Sequence, residues 1–399
     1  MLAALTRVFG VHNLAIAEDV MQDTFLRAVE VWKLRGVPEN PSAWLMKAAK
    51  NRAIDVLRRE RTSKRIQAEL EGVYASEWTL VPTVAAAFDS ETIKDDELRM
   101  IITCCDPRLA PDTQVALTLH LLCGISVNEI ASAFLSKRAT IEKRIERGKK
   151  TFASFGSLFD LADSDLPARL SAVNRTLYLL FNEGYHGASP KSPVRADLCR
   201  DAIRLTMLLL NNPLTATTES CALGALMCLH AARLPARLTG EGSLVGLLEQ
   251  DRSLWDTSLI ERGAALLERA SVGEHATPYH IEAGIAQVHA SSASAQLTDW
   301  GKIVWLYDLL MRLQPSPVVA LNRAIAVGHA HGPQRGIEEL QALADSSELR
   351  LYPFLPAALG EFERRAGRMS EARRHFEQAA ALARNDAERH FLLERVASS

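Results

Sequence analysis

The sequence predicts an all-α protein on two observations. Ala, Leu, Arg and Glu, which favour helices, dominate the 399 residues, whereas the alternation of apolar and polar residues that marks strands is rare. Apolar residues also recur at helical spacing, for example at Ile16, Val20, Phe25, Val29 and Trp32. A chain of this length has room for about two to four domains.

Charge is distributed very unevenly along the chain, although the net charge is only −2. Residues 43–65 carry a net charge of +6 and residues 137–150 a net charge of +5, whereas residues 66–97 carry −7. We therefore expect two basic helices that flank an acidic, poorly structured connector. Two separate basic elements favour a protein that grips a DNA duplex at two places.

The cysteines and the apolar runs exclude several classes of protein. The six cysteines show no CxxC spacing and mostly lie in apolar helical patterns, so buried thiols are favoured over disulfides. The same interpretation is favoured for Cys104 and Cys105 over a metal site beside Asp106. No apolar run reaches membrane-span length and no signal peptide opens the chain. We expect a soluble, cytoplasmic protein without cofactor or metal.

The first basic stretch belongs to a predicted pair of helices. Periodicity predicts one amphipathic helix over residues 14–32, and Gly36 opens the loop that follows. Ser42 is predicted to cap a second helix over about residues 43–65. A basic helix face is often merely solvated, and Trp44 is expected in the core rather than stacked on a base.

The second basic stretch has the pattern of a helix-turn-helix. A helix is predicted over residues 112–122, and Ser126 and Glu129 have the spacing of a capping box that starts a short second helix. A turn at residues 135–136 leads to a basic helix that begins near Lys137. In such a motif the early residues of the last helix reach base edges and later ones meet phosphates. Any helical hairpin with a basic face would show the same pattern.

Two segments in this order resemble the extracytoplasmic-function sigma factors of bacterial RNA polymerase. AEDVMQDTFLRAVEVW with WLMKAAKNRAIDVLRRER, within residues 17–61, resembles their region 2. VALTLHLLCGISVNEIASAFLSKRATIEKRIERGKK, residues 115–150, resembles their region 4. LYLLFNEGYHGAS, DRSLWD and SPVVALNRAIAV, which begin at Leu177, Asp251 and Ser316, are similar to the subgroup with a long tetratricopeptide-like C-terminal extension.

The resemblance implies a division of the chain into four parts. Region 2 would cover residues 1–67, an acidic linker residues 68–94, and a helix-turn-helix region 4 residues 95–155. A helical extension with tetratricopeptide-like repeats would follow over residues 156–399, with the repeats clearest at 300–395. Because relatives have more residues before region 2, we expect its N-terminal part to be truncated.

The resemblance also implies partners and contact residues. The first helix would dock on the clamp helices of core RNA polymerase through Glu18, Asp19, Gln22, Asp23 and Arg27. Region 2 would melt and hold the −10 element of promoter DNA through Asn40, Lys47, Lys50, Asn51, Arg52, Arg58 and Arg59. Region 4 would read the −35 element through Lys137, Arg138, Thr140, Lys143, Arg144 and Arg147. The C-terminal helices would regulate the sigma portion in cis or bind a protein partner, and the chain would not be an enzyme.

Some residues depart from the family pattern or have another interpretation. Glu142 stands where many relatives carry a basic residue, and Gly148 replaces the more usual Ala at a cost of up to about 1 kcal/mol in helix propensity. In the extension, Asp251, Arg252 and Asp256 are expected to form an ion-pair network around Trp255. The alternative function is a helical-repeat interaction scaffold with a DNA-binding helix-turn-helix, which would regulate transcription without sigma activity.

Overall fold

The structure, a computed structural model, describes residues 1–60, 77–133, 136–154, 166–186, 194–240, 243–273, 275–383 and 385–398. In this part of the chain nineteen α-helices form and no β-strand does, which confirms the all-α class. None of these helices is long and apolar enough to cross a membrane. The chain divides into two compact units, Met1–Thr176 and Leu177–Ser399.

The first unit contains eight complete helices and the beginning of a ninth. In chain order they are α1 (Leu2–Phe9), α2 (Leu14–Arg35), α3 (Pro41–Glu60), α4 (Glu77–Ala87), α5 (Ser90–Cys104), α6 (Pro111–Leu122), α7 (Val127–Ala133), α8 (Arg138–Ala153) and α9 (Leu166–His186). Helix α2 agrees with the predicted helix and runs three residues further, to Arg35, before Gly36 at φ +79° ends it.

One hydrophobic cluster joins nearly all of these helices. Every one of its members is buried, and they come from both basic helices as well as from the helices between them: Leu5, Phe9, Val20, Leu57, Val84, Met100, Leu117 and Phe152 are examples. The short helix α1 contributes most of its side chains to the cluster. The basic helices α3 and α8 therefore share one core, instead of belonging to two separate cores.

The expectation of a poorly structured acidic connector is wrong for residues 77–97. Helices α4 and α5 cover this stretch, and Leu80, Val84 and Ala87 are buried in the cluster of the first unit. Their spacing of three and four residues is that of a helix face. The prediction missed this short apolar stripe because it relied on the high acidic charge of the segment. Residues 61–76, the rest of the connector and the end of the predicted second helix, lie outside the described residues.

The start of α3 corrects the predicted cap. The side-chain oxygen Oδ1 of Asn40, and not Ser42, accepts the backbone N–H of Ala43 at 2.9 Å. Pro41 is the first residue of the helix, a position that suits its fixed φ and missing N–H. The cap must therefore precede the proline, which moves it two residues towards the N-terminus.

The second unit continues from α9 as an array of helices in which neighbours in sequence pack on one another. They are α10 (Ala196–Asn211), α11 (Thr218–Ala231), α12 (Thr257–Ala270), α13 (Pro278–Ser291), α14 (Trp300–Leu313), α15 (Pro317–His331), α16 (Pro333–Gln341), α17 (Phe354–Arg365), α18 (Met369–Ala381) and α19 (Asp386–Ala397). Within residues 300–395, where repeats were predicted to be clearest, α14 packs on α15 and α17 packs on α18.

The expected ion-pair network around Trp255 is not formed by the residues assigned to it. Asp251 accepts the backbone N–H of Ser253 at 2.9 Å, and Asp256 caps α12 by accepting the N–H of Leu259 at 3.1 Å. Both carboxylates therefore satisfy the first N–H groups of helical turns. This leaves Arg252 without either of its expected carboxylate partners.

The close packing of α17 on α18 depends on Gly360. A Cβ atom added at Gly360 would lie only 2.9 Å from ring atoms of Phe376, a buried side chain of α18. A Cβ at Gly284, by contrast, would meet Leu306 at an ordinary 3.6 Å. Both glycines lie inside α-helices of the second unit, so they form a matched pair.

We expect Gly360→Ala to lower the free energy of unfolding by about 1–3 kcal/mol, because the added methyl group overpacks the α17–α18 contact. Gly284→Ala should leave stability unchanged or raise it by up to about 1 kcal/mol through helix propensity. Urea unfolding followed by circular dichroism measures both changes. Equal effects from the two variants would show that the close approach at Gly360 does not limit stability.

Candidate nucleic-acid interface

The helices on both sides of the predicted turn are present. Ser126 and Glu129 form the predicted capping box: the N–H of Ser126 donates to Glu129 Oε2 at 3.0 Å, and the N–H of Glu129 donates to Ser126 Oγ at 3.3 Å. This box starts α7, and α7 and α6 both pack on α8. Helix α8 begins at Arg138, next to the expected position. Residues 134–135 of the predicted turn lie outside the described residues.

One face of α8 is basic and concave. Thr140, Lys143, Arg144 and Arg147 line a surface cavity of about 300 Å³. Their spacing of three, four and seven residues places them on the same side of a helix. The opposite side carries Ile141, Ile145 and Phe152, which are buried. Burial of this apolar side fixes which basic residues face solvent.

The basic face is not wholly available in this structure. Arg144 pairs with Asp112 of α6 at 2.9 Å, and Arg138 pairs with Glu142 one turn further along α8 at 2.7 Å. Glu142, where the sequence departs from the family pattern, therefore holds the exposed side chain of Arg138. Arg147 is exposed and makes no ion pair with any described residue, as is also true of Lys137.

Helix α3 presents a second basic surface. Most of the side chains assigned to the −10 element are exposed, namely Lys47, Asn51, Arg58 and Arg59, and Lys50 is half-buried. Arg52 is different, because its Nη2 and Nε atoms donate to Asp23 Oδ2 of α2 at 2.7 and 3.1 Å. Arg52 and Asp23 were assigned to different partners, yet here they bind each other.

Two tryptophans lie at the junction of α2 and α3. The rings of Trp32 and Trp44 meet edge to face with centroids 5.6 Å apart, and both residues are half-buried. Edge-to-face geometry is a favoured arrangement of aromatic pairs. Trp44 was expected in the core; it is instead half-buried and packs against Trp32.

Helix α2 carries an apolar surface that faces away from the core. The periodicity of its apolar residues had instead grouped Phe25 and Val29 with the buried side. Its buried positions are mainly small, including Ala17, Val20, Thr24 and Ala28, whereas large apolar residues point outward. Leu26 is 65% exposed and Val29 67% exposed. The exposed residues Phe25, Leu26, Val29 and Leu34 of α2, together with Val37 in the loop that follows, are named the outer apolar surface. Close helix packing selects small residues inside, so periodicity alone chose the wrong stripe for Phe25 and Val29.

Glu18 links α2 to the basic helix α8. Its carboxylate accepts two hydrogen bonds from Lys149 Nζ, at 2.6 and 2.8 Å, and lies 3.7 Å from His120 Nε2 of α6. Burial, and then the charge of Lys149, lower the pKa of His120 below its ordinary value. The remaining residues of the predicted docking face, Asp19, Gln22 and Arg27, are exposed.

Gly148, the second departure from the family pattern, has a packing role. A Cβ atom at this position would lie 3.0–3.3 Å from three side-chain carbons of Leu117, a buried residue of α6. Glycine therefore allows α8 to approach α6 closely, next to the residue that binds Glu18. The loss of helix propensity is offset by this close contact.

Lys149→Met should destabilise the protein by about 1 kcal/mol, because it leaves a partly buried carboxylate without its cation. The same change should raise the pKa of His120, since the lysine charge that opposes its protonation is removed. Urea unfolding measures the first effect and an NMR titration of the histidine ring protons the second.

The adjacent Lys150→Met serves as the control, because its partner Glu146 lies one turn away on the exposed surface. We expect this control to change neither stability nor the His120 titration. A His120 pKa that stays unchanged in Lys149→Met would contradict the assigned electrostatic coupling.

Comparison with known proteins gives two family matches and one full-length relative. The family described as Sigma-70 region 2 matches residues 1–63, and a family of unknown function (DUF6596) matches residues 169–271. An uncharacterized protein of Rhizobium meliloti (strain 1021) is 38% identical over 392 residues, which cover 98% of this chain and 91% of the relative. The chain thus belongs to the same family as this relative, and its region 2 makes it a member of the sigma-70 family.

Proposed function

We propose that the protein is a sigma factor of the extracytoplasmic-function group that directs bacterial RNA polymerase to promoters. The observation that carries the proposal is the sigma-70 region 2 match over residues 1–63. The basic concave face of α8, which follows in the chain order expected of region 4, adds support. The chain would supply recognition, not catalysis, and would act in the cytoplasm.

The two basic helices would contact different elements of the promoter. Helix α3 would neutralise phosphates of the melted −10 element through its exposed basic residues. Helix α8 would enter the −35 major groove, where Thr140 and Arg144 could approach base edges and Arg147 phosphates. Phosphate contacts position the protein and base contacts specify the sequence.

The outer apolar surface supports docking on a large protein partner. Contiguous exposed apolar residues rimmed by polar ones are typical of protein interfaces. Asp19, Gln22 and Arg27, three of the residues assigned to polymerase binding, are exposed on the same helix. We propose that core polymerase covers this surface, with Leu26 and Val29 near its centre.

The first unit must open before it can bind both promoter elements. A compact unit of 176 residues has a radius of gyration of about 16 Å. The −10 and −35 elements are separated by about 25 base pairs, or roughly 85 Å of duplex at about 3.4 Å per base pair. Helices α3 and α8 therefore cannot reach both elements while they share one core. We propose that the closed form is inactive and that the C-terminal helices regulate its opening in cis.

The test of polymerase docking is affinity purification of the full chain with core RNA polymerase. Leu26→Glu should reduce the recovered polymerase at least tenfold, because a charge at the centre of an apolar interface is desolvated without a partner. Since Leu26 is exposed, the variant should fold normally.

Leu297→Glu, at an equally exposed leucine of the second unit, is the matched control and should bind polymerase like the wild type. If the wild-type chain binds DNA but never recovers polymerase, the scaffold alternative replaces the sigma assignment. Wild-type recovery by Leu26→Glu would remove the outer apolar surface from the interface.

Arg144→Ala should weaken transcription that depends on the −35 element and reduce discrimination between promoter bases by about 1–3 kcal/mol. The physical reason is loss of a guanidinium that can bind a guanine edge with two hydrogen bonds. Run-off transcription on a promoter and its −35 variants measures the effect. Lys150→Ala, on α8 outside the concave surface, should leave base preference unchanged. Unaltered base preference in Arg144→Ala would exclude this residue from direct readout.

A further inference from the structure

The second unit contains three neighbouring arginines without acidic partners. The Cζ atoms of Arg233 and Arg252 lie 5.6 and 5.0 Å from the centroid of the Trp255 ring, and Arg237 Cζ lies 3.9 Å from that of Tyr185. None of the three pairs with a carboxylate of any described residue. Aromatic faces attract guanidinium groups but do not neutralise their charge. These three residues are named the arginine cluster.

Arg233 has the most unfavourable position in this cluster. Desolvation lowers its pKa, and the like charges of Arg237 and Arg252 add to that effect. Among the described residues its side chain makes one hydrogen bond, from Nε to Gln250 at 3.3 Å. Arg252, in contrast, donates to the carbonyl oxygens of His289 and Ser292. Arg233 therefore retains donor groups and a positive charge for an external anion.

A cavity of about 520 Å³ lies beside Arg233 within the second unit. This volume falls in the usual range for sites that bind small molecules. Its wall includes flat and apolar side chains from several helices, among them Tyr178, Phe181, Tyr307 and Leu310. Such a wall suits the body of a small organic molecule.

His289 supplies a second, independent sign of a ligand. It is only 8% exposed and lines the same cavity, yet its Nδ1 atom has no hydrogen-bond partner among the described residues. Burial, with the charges of Arg233 and Arg252, lowers the pKa of His289 to about 3. The ring is therefore neutral at physiological pH and can donate one N–H without adding charge.

The acidic residue of the cavity does not cancel the arginine charge. Burial raises the pKa of Glu282 to about 7, so a large fraction of this carboxyl group is neutral near that pH. It also forms a hydrogen bond with the Tyr178 hydroxyl, which occupies part of its capacity. The cavity thus retains a positive end at Arg233.

We propose that this cavity binds a small organic anion, with its carboxylate or phosphate on Arg233 and its apolar or aromatic body against the tyrosines and Phe181. His289 would donate a hydrogen bond to the anion. Bound anion would relieve the repulsion within the arginine cluster and would thereby stabilise the second unit. This inference does not depend on the proposed sigma function.

Isothermal titration calorimetry and thermal unfolding of the full chain test the proposal with three probes. Benzoate and phenyl phosphate carry the two candidate anionic groups, and benzamide is the neutral analogue of benzoate. We expect saturable binding and a raised Tm with at least one anion, and neither with benzamide. The tighter anion identifies the group that the site prefers.

Arg233→Gln should weaken anion binding at least tenfold, the loss expected for a charge-assisted hydrogen bond. Arg350→Gln, an exposed arginine outside the cavity, should bind like the wild type. If Arg233→Gln does not fold, His289→Phe keeps a ring beside Trp300 and should also weaken binding. The proposal is overturned if neither anion binds, if benzamide binds as tightly as benzoate, or if the folded variant binds like the wild type.

Discussion

The shared hydrophobic core of the first unit is the constraint on which the rest of that unit depends. Leu57 of α3 and Phe152 of α8 belong to one buried cluster, so two strongly basic helices are anchored in the same core. The acidic stretch 77–97 folds into the same unit, and its buried Asp96 binds Arg7 at 2.7 Å. This part of the acidic stretch therefore contributes packing and an ion pair to the first unit and is not a passive connector.

This core also sets the requirement for activation under the proposed function. Separation of α8 from the cluster would expose Phe152, a cost of about 2–3 kcal/mol for that side chain alone, and would break the contact between Glu18 and Lys149. A partner can shift the equilibrium only by binding the open form more tightly than the closed form. Under the proposed function Glu18 would be well placed for this, because a polymerase contact would compete with Lys149 for the same carboxylate.

Local rules predicted much of this structure, and long-range packing explains where they failed. The capping box at Ser126 needs only neighbouring residues, so its spacing sufficed. The inward face of α2 depends on how closely its neighbours approach, which the sequence of one helix does not reveal. Asn40 replaced Ser42 as the cap because Pro41 already occupies the first helical position. Lys143, Arg144 and Arg147 of α8 lie together on one surface, as helical spacing predicts. Asp112, which pairs with Arg144, comes from the packing of α6 and was not foreseen. Glu142, which pairs with Arg138, is a local partner one turn along the same helix.

Several arginines elsewhere in the protein pair with carboxylates, which those of the arginine cluster do not do with any described residue. In the second unit, Arg323 binds both Asp308 and Glu339, and in the first unit Arg52 binds Asp23. Arg233, by contrast, pairs with no described carboxylate, and Asp251 and Asp256, on either side of Arg252 and Trp255 in sequence, are used as helix caps. Substituting an apolar residue at position 233 would remove the charge repulsion and retain the packing on Trp255. Fold stability alone therefore does not account for a charge at this position, whereas the proposed anion would.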